Sequence, residues 1–164
     1  MVSEQDFRDL MAGVCGPVTV VTATADTTPQ GTTVSSFASL SLDPPMITVA
    51  LDRRSTLLTT IQGNGRFGVN ILGFEQEWVA TRFARRGIDR FQGLDWRFDS
   101  SLPRLEAANG WLACTLDRAV DGGDHLLLLG AVTAAESRVA PPLVYGFRTF
   151  GTHSACAEFI SSAG

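Results

Sequence analysis

The sequence predicts a mainly β protein, an antiparallel barrel with a few helices at its periphery. Six or seven segments rich in β-branched and hydrophobic residues are separated by short turns. The predicted helices lie between them without the strict strand-helix alternation of a parallel sheet, although an α/β parallel sheet is the alternative architecture. The 164 residues are 45% hydrophobic and 18% charged, which suits one domain around a single core.

The chain opens with a predicted amphipathic helix. Ser3 and Asp6 form a variant of the capping box at its start, and Gly16-Pro17 marks its end. The hydrophobic residues between them recur at the spacing of one helix face: Phe7, Leu10, Met11 and Val14. This hydrophobic face requires a partner surface.

Three strands are predicted next. The run VTVVTAT at residues 18–24 is the first, and a turn over residues 26–31 follows. The hydroxyl-rich segment TTVSSFASLS at residues 32–41 is the second, which ends at Pro44-Pro45. The third is MITVALD at residues 46–52.

Two more helices are predicted in the middle of the chain. Ser55 is placed to N-cap a short helix that extends to Ile61, with Gly63 and Gly65 as its stop. The next helix covers residues 74–86, where acidic residues come early and arginines late. Its hydrophobic residues share one face: Phe74, Trp78, Val79 and Phe83.

The remaining strands are predicted at residues 67–72, 111–117, 126–132 and 143–150. The turn Asp121-Gly122-Gly123-Asp124 lies between the second and third of them. Residues 87–98, rich in glycine, aspartate and aromatic residues, carry no predicted element.

Charge and cysteine content exclude several classes of function. The net charge of -4 argues against a nucleic-acid or membrane partner. All thirteen basic residues are arginine, which excludes a Schiff-base, pyridoxal-phosphate or Walker lysine. Cys15, Cys114 and Cys156 are far apart, which favours free thiols in a reducing cytosol over disulfides or zinc. Without a signal segment or a long apolar run, we expect a cytoplasmic protein.

One familiar motif is misleading. Gly63-Asn64-Gly65-Arg66-Phe67-Gly68 spells the G-x-G-x-x-G dinucleotide fingerprint, but here a predicted helix precedes the glycines and a strand follows. This order indicates a helix C-cap. There is no G-x-S-x-G nucleophile motif, and Asp121 and Asp124 are more typical of a turn than of acid-base catalysis.

Hydroxyl side chains provide the best candidate site. Six of them lie within residues 32–41, and strand alternation sends Thr33 and Ser35 to one face and their neighbours to the other. Such polarity inside a barrel requires solvent or a polar ligand, although an exposed edge strand would also explain it.

A second candidate follows the third strand. Ser55 and Thr56 start a predicted helix, where backbone N–H groups are free, and Arg53 and Arg54 adjoin them. Hydroxyls, amides and arginine together suggest a phosphate-bearing cofactor. His125, directly after the DGGD turn, is by itself more typical of a structural histidine, unless a cofactor lies beside it.

Six segments match one known pattern in the same order. They are FRDLMAGVCGPVTVVTA at residues 7–23, GTTVSSFASLSLDPP at 31–45, RFGVNIL at 66–72, RFARRGIDRFQGLDW at 82–96, GGDHLLLLG at 122–130 and LVYGFRTFG at 143–151. Together they resemble the flavin reductase-like family of FMN-binding split barrels, the reductase components of two-component flavin-dependent monooxygenases. The resemblance implies a six-stranded antiparallel Greek-key split barrel in one domain, residues 1–164, and a homodimer with flavin in a groove near the subunit interface.

The resemblance also implies site residues. Flavin contacts would fall on Thr33, Val34, Ser35, Ser36, Ala50, Leu51 and Asp52, with Ser55 and Thr56 on the phosphate and Phe83 and Ala84 as a further contact. The G-D-H motif implies that Asp124 and His125 lie by the nicotinamide as catalytic residues, with Tyr145 and Arg148 near the same pocket. Thr32 stands where many members of the family carry methionine.

The activity that the resemblance implies is hydride transfer from NADH, with NADPH as the alternative, to an exchangeable flavin, either FMN or FAD. Reduced flavin would then leave for a partner monooxygenase. His125 would orient the nicotinamide or donate to it. The alternatives are a split-barrel oxidase or electron-transfer protein that retains FMN, and a non-catalytic barrel that binds a ligand or a partner.

Overall fold

A computed structural model describes residues 1–156 of the chain. The α-helices of this part are α1 (Glu4–Ala12), α2 (Thr56–Asn64) and α3 (Glu77–Ala84). Its strands are β1 (Gly16–Pro17), β2 (Thr19–Ala25), β3 (Thr28–Val34), β4 (Ala38–Leu42), β5 (Pro45–Asp52), β6 (Arg66–Ile71), β7 (Trp96–Asp99), β8 (Leu102–Leu105), β9 (Gly110–Gly122), β10 (His125–Ser137), β11 (Val144–Gly146) and β12 (Thr149–Gly151). Within these residues, no helix has both the length and the hydrophobicity that crossing a membrane requires.

The main sheet has seven strands in the order β3-β2-β6-β9-β10-β5-β4, and every neighbouring pair is antiparallel. Smaller sheets are formed by β1-β11-β12 and by β7-β8. The predicted mainly β, antiparallel architecture with peripheral helices is therefore confirmed. The six-stranded barrel is not: the sheet has seven strands, and within residues 1–156 no hydrogen-bonded ladder joins β3 to β4 to close it.

The seventh strand arises because the predicted strand over residues 32–41 is two strands. β3 pairs with β2, whereas β4 pairs with β5 near the opposite edge of the sheet. Residues 35–37, here called the corner, connect them. Alternation within one segment carries no information about which partner each half pairs with, so the sequence did not indicate the break.

The last predicted strand, residues 143–150, is also wrong in extent, because it is the hairpin β11-β12. Phe147 and Arg148 form its turn with φ of 51° and 59°, as in a type I′ turn. Phenylalanine and arginine seldom adopt positive φ, so no turn was indicated by the residue types.

Two other regions differ from expectation. The predicted helix over residues 74–86 begins as a 3-10 turn at Phe74–Gln76, and its α-helical part ends at Ala84. Trp78, expected on the buried face, is 56% exposed. The hairpin β7-β8 was not predicted beyond the general description of residues 87–98.

Helix α2 begins after Ser55 and ends at Gly65 as predicted, but it continues past the predicted last residue, Ile61, and includes Gly63. Gly65 adopts φ of 67° and its N–H donates to the Ile61 carbonyl at 2.8 Å, which ends the helix. Leu57, Leu58 and Ile61 are buried and turn this helix against the sheet. The glycine motif is thus a helix C-cap, as predicted.

Hydrophobic cores form on both faces of the sheet. Successive residues of β2 point to opposite faces, so Val21 packs in the core beside α2 and Val20 packs in the core beside α3. Phe67 is fully buried in the first core and Phe83 in the second. Full burial of such a side chain stabilises the fold by roughly 1.5–3 kcal/mol. The two cores fix α2 and α3 around β3, which forms a wall of the candidate site.

Candidate functional site

A groove of about 940 Å³ opens between β3, the corner, the end of β5 and the start of α2. It contains ten of the residues assigned from the resemblance: Thr33, Val34, Ser35, Ser36, Ala50, Leu51, Asp52, Ser55, Thr56 and His125. The loop after α3 closes another side. The structure therefore brings both hydroxyl-rich segments together in one place.

The hydroxyl groups along β3 and the corner have different tasks. Thr33 Oγ1 donates to the Ala80 carbonyl at 2.6 Å, which ties β3 to α3. Ser36 Oγ accepts from the Ala50 N–H at 2.9 Å and donates to the Ala50 carbonyl at 3.1 Å. Ser35 is exposed in the groove. β3 is indeed an edge strand, so both sequence explanations of its polarity apply: it is an edge, and it lines a groove.

The start of α2 presents free donors to the groove. Ser55 is in the N-cap position, but its hydroxyl makes no capping hydrogen bond. The first N–H groups of a helix have no acceptor within it, and the helix dipole is positive at that end. Ser55 and Thr56 therefore offer hydroxyl and amide donors to an anion.

Arg53 and Arg54 are adjacent in sequence and point to different partners. Arg54 lines the groove and contacts Asp52, with Nη2 at 2.9 Å from Oδ2 and Nε at 3.2 Å from Oδ1. These hydrogen bonds hold the pKa of Asp52 well below its usual range. Arg53 does not line the groove and contacts the β9-β10 turn.

His125 enters the groove at the first position of β10, directly opposite Asp52 of β5. Its Nδ1 lies 2.7 Å from Oδ1 of Asp124. This hydrogen bond lowers the pKa of Asp124, whose side chain is 91% exposed and does not line the groove. Because Nδ1 is engaged, Nε2 is the ring nitrogen left for a ligand.

Four assigned residues besides Asp124 lie outside the groove. Phe83 is fully buried and packs edge-on against Phe91 at 5.0 Å, so it supports the wall from behind. Ala84 ends α3 on the surface. Tyr145 packs against Phe150 on β12. Arg148 forms an ion pair with Asp9 of α1.

The hairpin that carries Tyr145 nevertheless adjoins the corner. Tyr145 pairs with Gly16 across the β1-β11 ladder. A Cβ at Gly16 would lie 3.4 Å from the Ser35 carbonyl. Gly16 therefore lies between Tyr145 and the corner, and Tyr145 itself does not line the groove.

Sequence reasoning missed the loop that follows α3. Arg86 and Arg90 both line the groove. Arg90 donates from Nη1 to the Gly31 carbonyl at 2.6 Å and from Nε to the Arg85 carbonyl at 2.7 Å. Burial and the charge of Arg86 lower the pKa of Arg90. Three arginines within six residues beside Gly87 were the signal that could have indicated an anion site here.

The donor set of the groove fits a flat, hydrogen-bonding group that carries a phosphate. Hydroxyls and backbone groups of β3, the corner and β5 suit a heterocycle edge. The start of α2 and the arginines of the loop after α3 suit the phosphate. No lysine is needed for either task.

Such a groove on an antiparallel sheet is suited to an anionic cofactor or co-substrate. Residues 11–154 match the flavin reductase like domain, and the chain belongs to this family. It is accordingly an enzyme of the NAD(P)H-dependent flavin reductase class.

Two relatives whose names give their activity align with most of the chain. The reductase subunit HsaB of a flavin-dependent monooxygenase from Mycobacterium tuberculosis is 36% identical over 132 residues, 80% of this chain and 71% of HsaB. The FMN reductase (NADH) SmoA from Agrobacterium fabrum is 33% identical, covering 93% of this chain and 87% of SmoA.

A solved structure is similar as well. The NADH:FAD oxidoreductase SgcE6 of Streptomyces globisporus, in complex with NAD and FAD fragments, superposes with a TM-score of 0.88 at 28% identity. The match covers 94% of this chain and 96% of SgcE6.

Proposed function

We propose that the groove brings NADH to a diffusible flavin, FMN or FAD, and that the reduced flavin leaves for a partner monooxygenase. The observation that carries this proposal is the meeting of the hydroxyl-rich corner, the start of α2 and His125 in one groove. The names of HsaB, SmoA and SgcE6 support the same reaction. When both are bound, NADH supplies a hydride to the flavin, which leaves NAD⁺ and reduced flavin.

Residues of this chain bind and orient in this scheme. Residues 33–36 and 50–52 hold the edge of the flavin ring, and their donors stabilise negative charge there. Ser55 and Thr56 hold the flavin phosphate at the start of α2, with Arg86 adding positive charge from the loop after α3. Because these contacts involve the part that FMN and FAD share, either flavin is accepted.

His125 is the proposed catalytic residue. Its ring is oriented by Asp124 through Nδ1, which leaves Nε2 to donate to the nicotinamide. Tyr145, which pairs with Gly16 beside the corner, would border the nicotinamide, and Arg148 anchors that hairpin to α1 through Asp9. Orientation of two rings requires no nucleophile or metal from the protein.

A steady-state assay tests the activity. Purified protein is mixed with FMN or FAD and with NADH or NADPH, and loss of nicotinamide absorbance is followed. We expect both flavins to support oxidation, NADH to be preferred, and purified protein to be colourless or partly yellow. If neither flavin supports NADH oxidation, the reductase proposal is wrong; a yellow cofactor that survives dialysis would favour the retained-FMN alternative.

The role of His125 is tested by substitution, with the other histidine of the chain as the control. His125→Ala should slow flavin reduction in stopped-flow by about tenfold or more, with flavin affinity largely kept. His153→Ala is the control, since His153 is exposed outside the groove and is the second histidine of the chain. Equal reduction rates in wild type and His125→Ala would remove His125 from the mechanism.

We also propose that the chain acts as a homodimer. No residue of α1 is buried, and its predicted hydrophobic face lies exposed beside Phe147, which is 74% exposed. A hydrophobic face of this kind needs a cover, and a second copy supplies one. Light scattering after gel filtration should give twice the chain mass, and Leu10→Glu with Phe147→Glu should give monomers. A monomeric wild-type protein would contradict the proposed homodimer.

The proposed setting is the cytoplasm. Cys15, Cys114 and Cys156 are all unpaired, and free thiols persist in a reducing compartment.

A further inference from the structure

Arg53 contacts the turn that precedes His125 at three points. Its backbone N–H donates to the Asp124 carbonyl at 3.0 Å. Its Nε donates to the Gly123 carbonyl at 2.8 Å, and its Nη2 lies 2.5 Å from Oδ1 of Asp121. One residue from the loop after β5 thus binds three residues at the end of the β9-β10 hairpin.

The hairpin end needs such support because the turn itself is tight and exposed. Gly123 adopts φ of 72°, and the side chains of Asp121 and Asp124 are 84% and 91% exposed. His125 is the first residue of β10 after this turn and is oriented through Asp124. The position of its ring therefore depends on where the turn lies.

We propose that Arg53 is a positioning residue for His125, holding the Asp124–His125 end of the hairpin against the end of β5. This inference rests on the proposed function of His125. Arg53 acts through the turn, because it does not line the groove. The neighbouring Arg54 has a different task, since its guanidinium contacts Asp52 on its own loop.

The geometry of the guanidinium explains why arginine is needed. An exposed ion pair such as Arg53–Asp121 contributes little alone. Here the planar fork binds a backbone carbonyl and a carboxylate at once, which fixes direction as well as distance. A lysine ammonium would make one of these contacts well and not both.

The first test separates positioning from binding. Arg53→Ala should lower the stopped-flow rate of flavin reduction by about fivefold to tenfold, and the flavin dissociation constant should stay within about twofold. Arg53→Lys should recover part of the rate. Arg118→Ala, an exposed arginine of β9 outside the groove, is the matched control and should behave as wild type.

The second test asks whether Arg53 acts through His125. In a His125→Ala background, Arg53→Ala should cause no further loss of rate, because the group that it positions is gone. A full additional loss in the double variant, or an unchanged rate in Arg53→Ala alone, would overturn the inference.

Hydrogen exchange tests whether Arg53 holds the hairpin without relying on flavin reduction, so its result is separate from the test of the proposed function. Amides of residues 121–125 should exchange faster in Arg53→Ala, whereas those of β2 should not change. If wild type fails to reduce flavin, the reductase proposal is wrong, and exchange still decides whether Arg53 holds the hairpin. Unchanged exchange at residues 121–125 would show that it does not.

Discussion

Arginines in two regions of the molecule carry their charge in opposite ways. Arg104 on β8 is 15% exposed and fully paired, with Nη1 2.7 Å from Asp99 and Nη2 2.5 Å from Glu136. Its guanidinium lies 6.0 Å from the centre of the Trp111 ring. This cluster of Arg104, Asp99, Glu136 and Trp111, here called the Arg104 cluster, is complete without a ligand.

The two arginines of the loop after α3 that line the groove, Arg86 and Arg90, are not compensated in this way. Arg90 donates to two carbonyls, which are neutral, and Arg86 has no ion pair or side-chain hydrogen bond with any other residue among 1–156. Positive charge left unpaired beside a groove is available to an anion. Pairing with carboxylates, more than the presence of arginine, therefore distinguishes a structural cluster from a wall that is suited to binding an anion.

The largest expected effect tests how closely the Arg104 cluster is packed. A Cβ at Gly68 would lie 2.3 Å from Cη2 of Trp111 and 2.7 Å from Oγ1 of Thr22, both buried. Gly68→Ala should therefore lower the free energy of unfolding by about 3 kcal/mol, measured by urea denaturation.

Gly63→Ala is its control, since nothing lies within 4 Å of that Cβ at the end of α2. It should stabilise the protein by about 0.5–1 kcal/mol, because alanine is the better helix former. Equal stability of both variants would contradict the close packing.

The next prediction removes the positive charge of one arginine in each region. Arg104→Gln should destabilise the protein by about 2 kcal/mol, because Asp99 and Glu136 lose the cation that lies nearest to them, and should leave flavin affinity unchanged. Arg86→Gln should raise the flavin dissociation constant about tenfold at low salt, less at high salt, with an unfolding midpoint within about 1 °C of wild type. Fluorescence titration and thermal denaturation measure the two. Weakened flavin binding in Arg104→Gln and normal binding in Arg86→Gln would contradict the structural role of Arg104 and the binding role of Arg86.

Local patterns predicted most of the elements and the centre of the site. β2, β5 and β6 lie within a residue or two of their predicted bounds, and Gly65 ends α2 as expected. Ser55, Thr56 and the hydroxyls of β3 meet in the groove. Both segments could be predicted as site candidates because each carries a short-range signal, strand alternation in one and helix capping in the other. Whether these residues bind flavin remains a prediction.

The errors arise from pairing between distant segments. Residues 32–41 alternate as one strand would, yet the chain leaves β2 at the corner to join β5. Arg86 and Arg90 were overlooked because only folding brings the loop after α3 to β3, where Arg90 contacts Gly31. Their importance depends on neither arginine forming an ion pair with a carboxylate within residues 1–156, which a sequence does not display.

The smallest effect concerns pH and belongs to the Arg104 cluster. Its hydrogen bonds lower the pKa of Asp99 and of Glu136 below their usual values. A carboxyl whose pKa is depressed on folding stabilises the protein above its unfolded pKa, and this stability is lost as pH falls through the folded pKa. For Asp99 the contribution is complete well above pH 3.8 and declines below it.

Asp99→Asn should therefore reduce stability most at neutral pH, and its difference from wild type should shrink as the pH falls below about 4. Arg104 is the largest cause of the lowered pKa of Asp99, ahead of Ser100 and Arg97, so the same substitution in an Arg104→Gln background should show a smaller dependence on pH. Urea denaturation between pH 7 and pH 3 measures all four proteins. A difference between wild type and Asp99→Asn that is constant with pH would show that Asp99 acts through packing, and the Arg104 cluster would then be no more charge-dependent than the rest of the sheet.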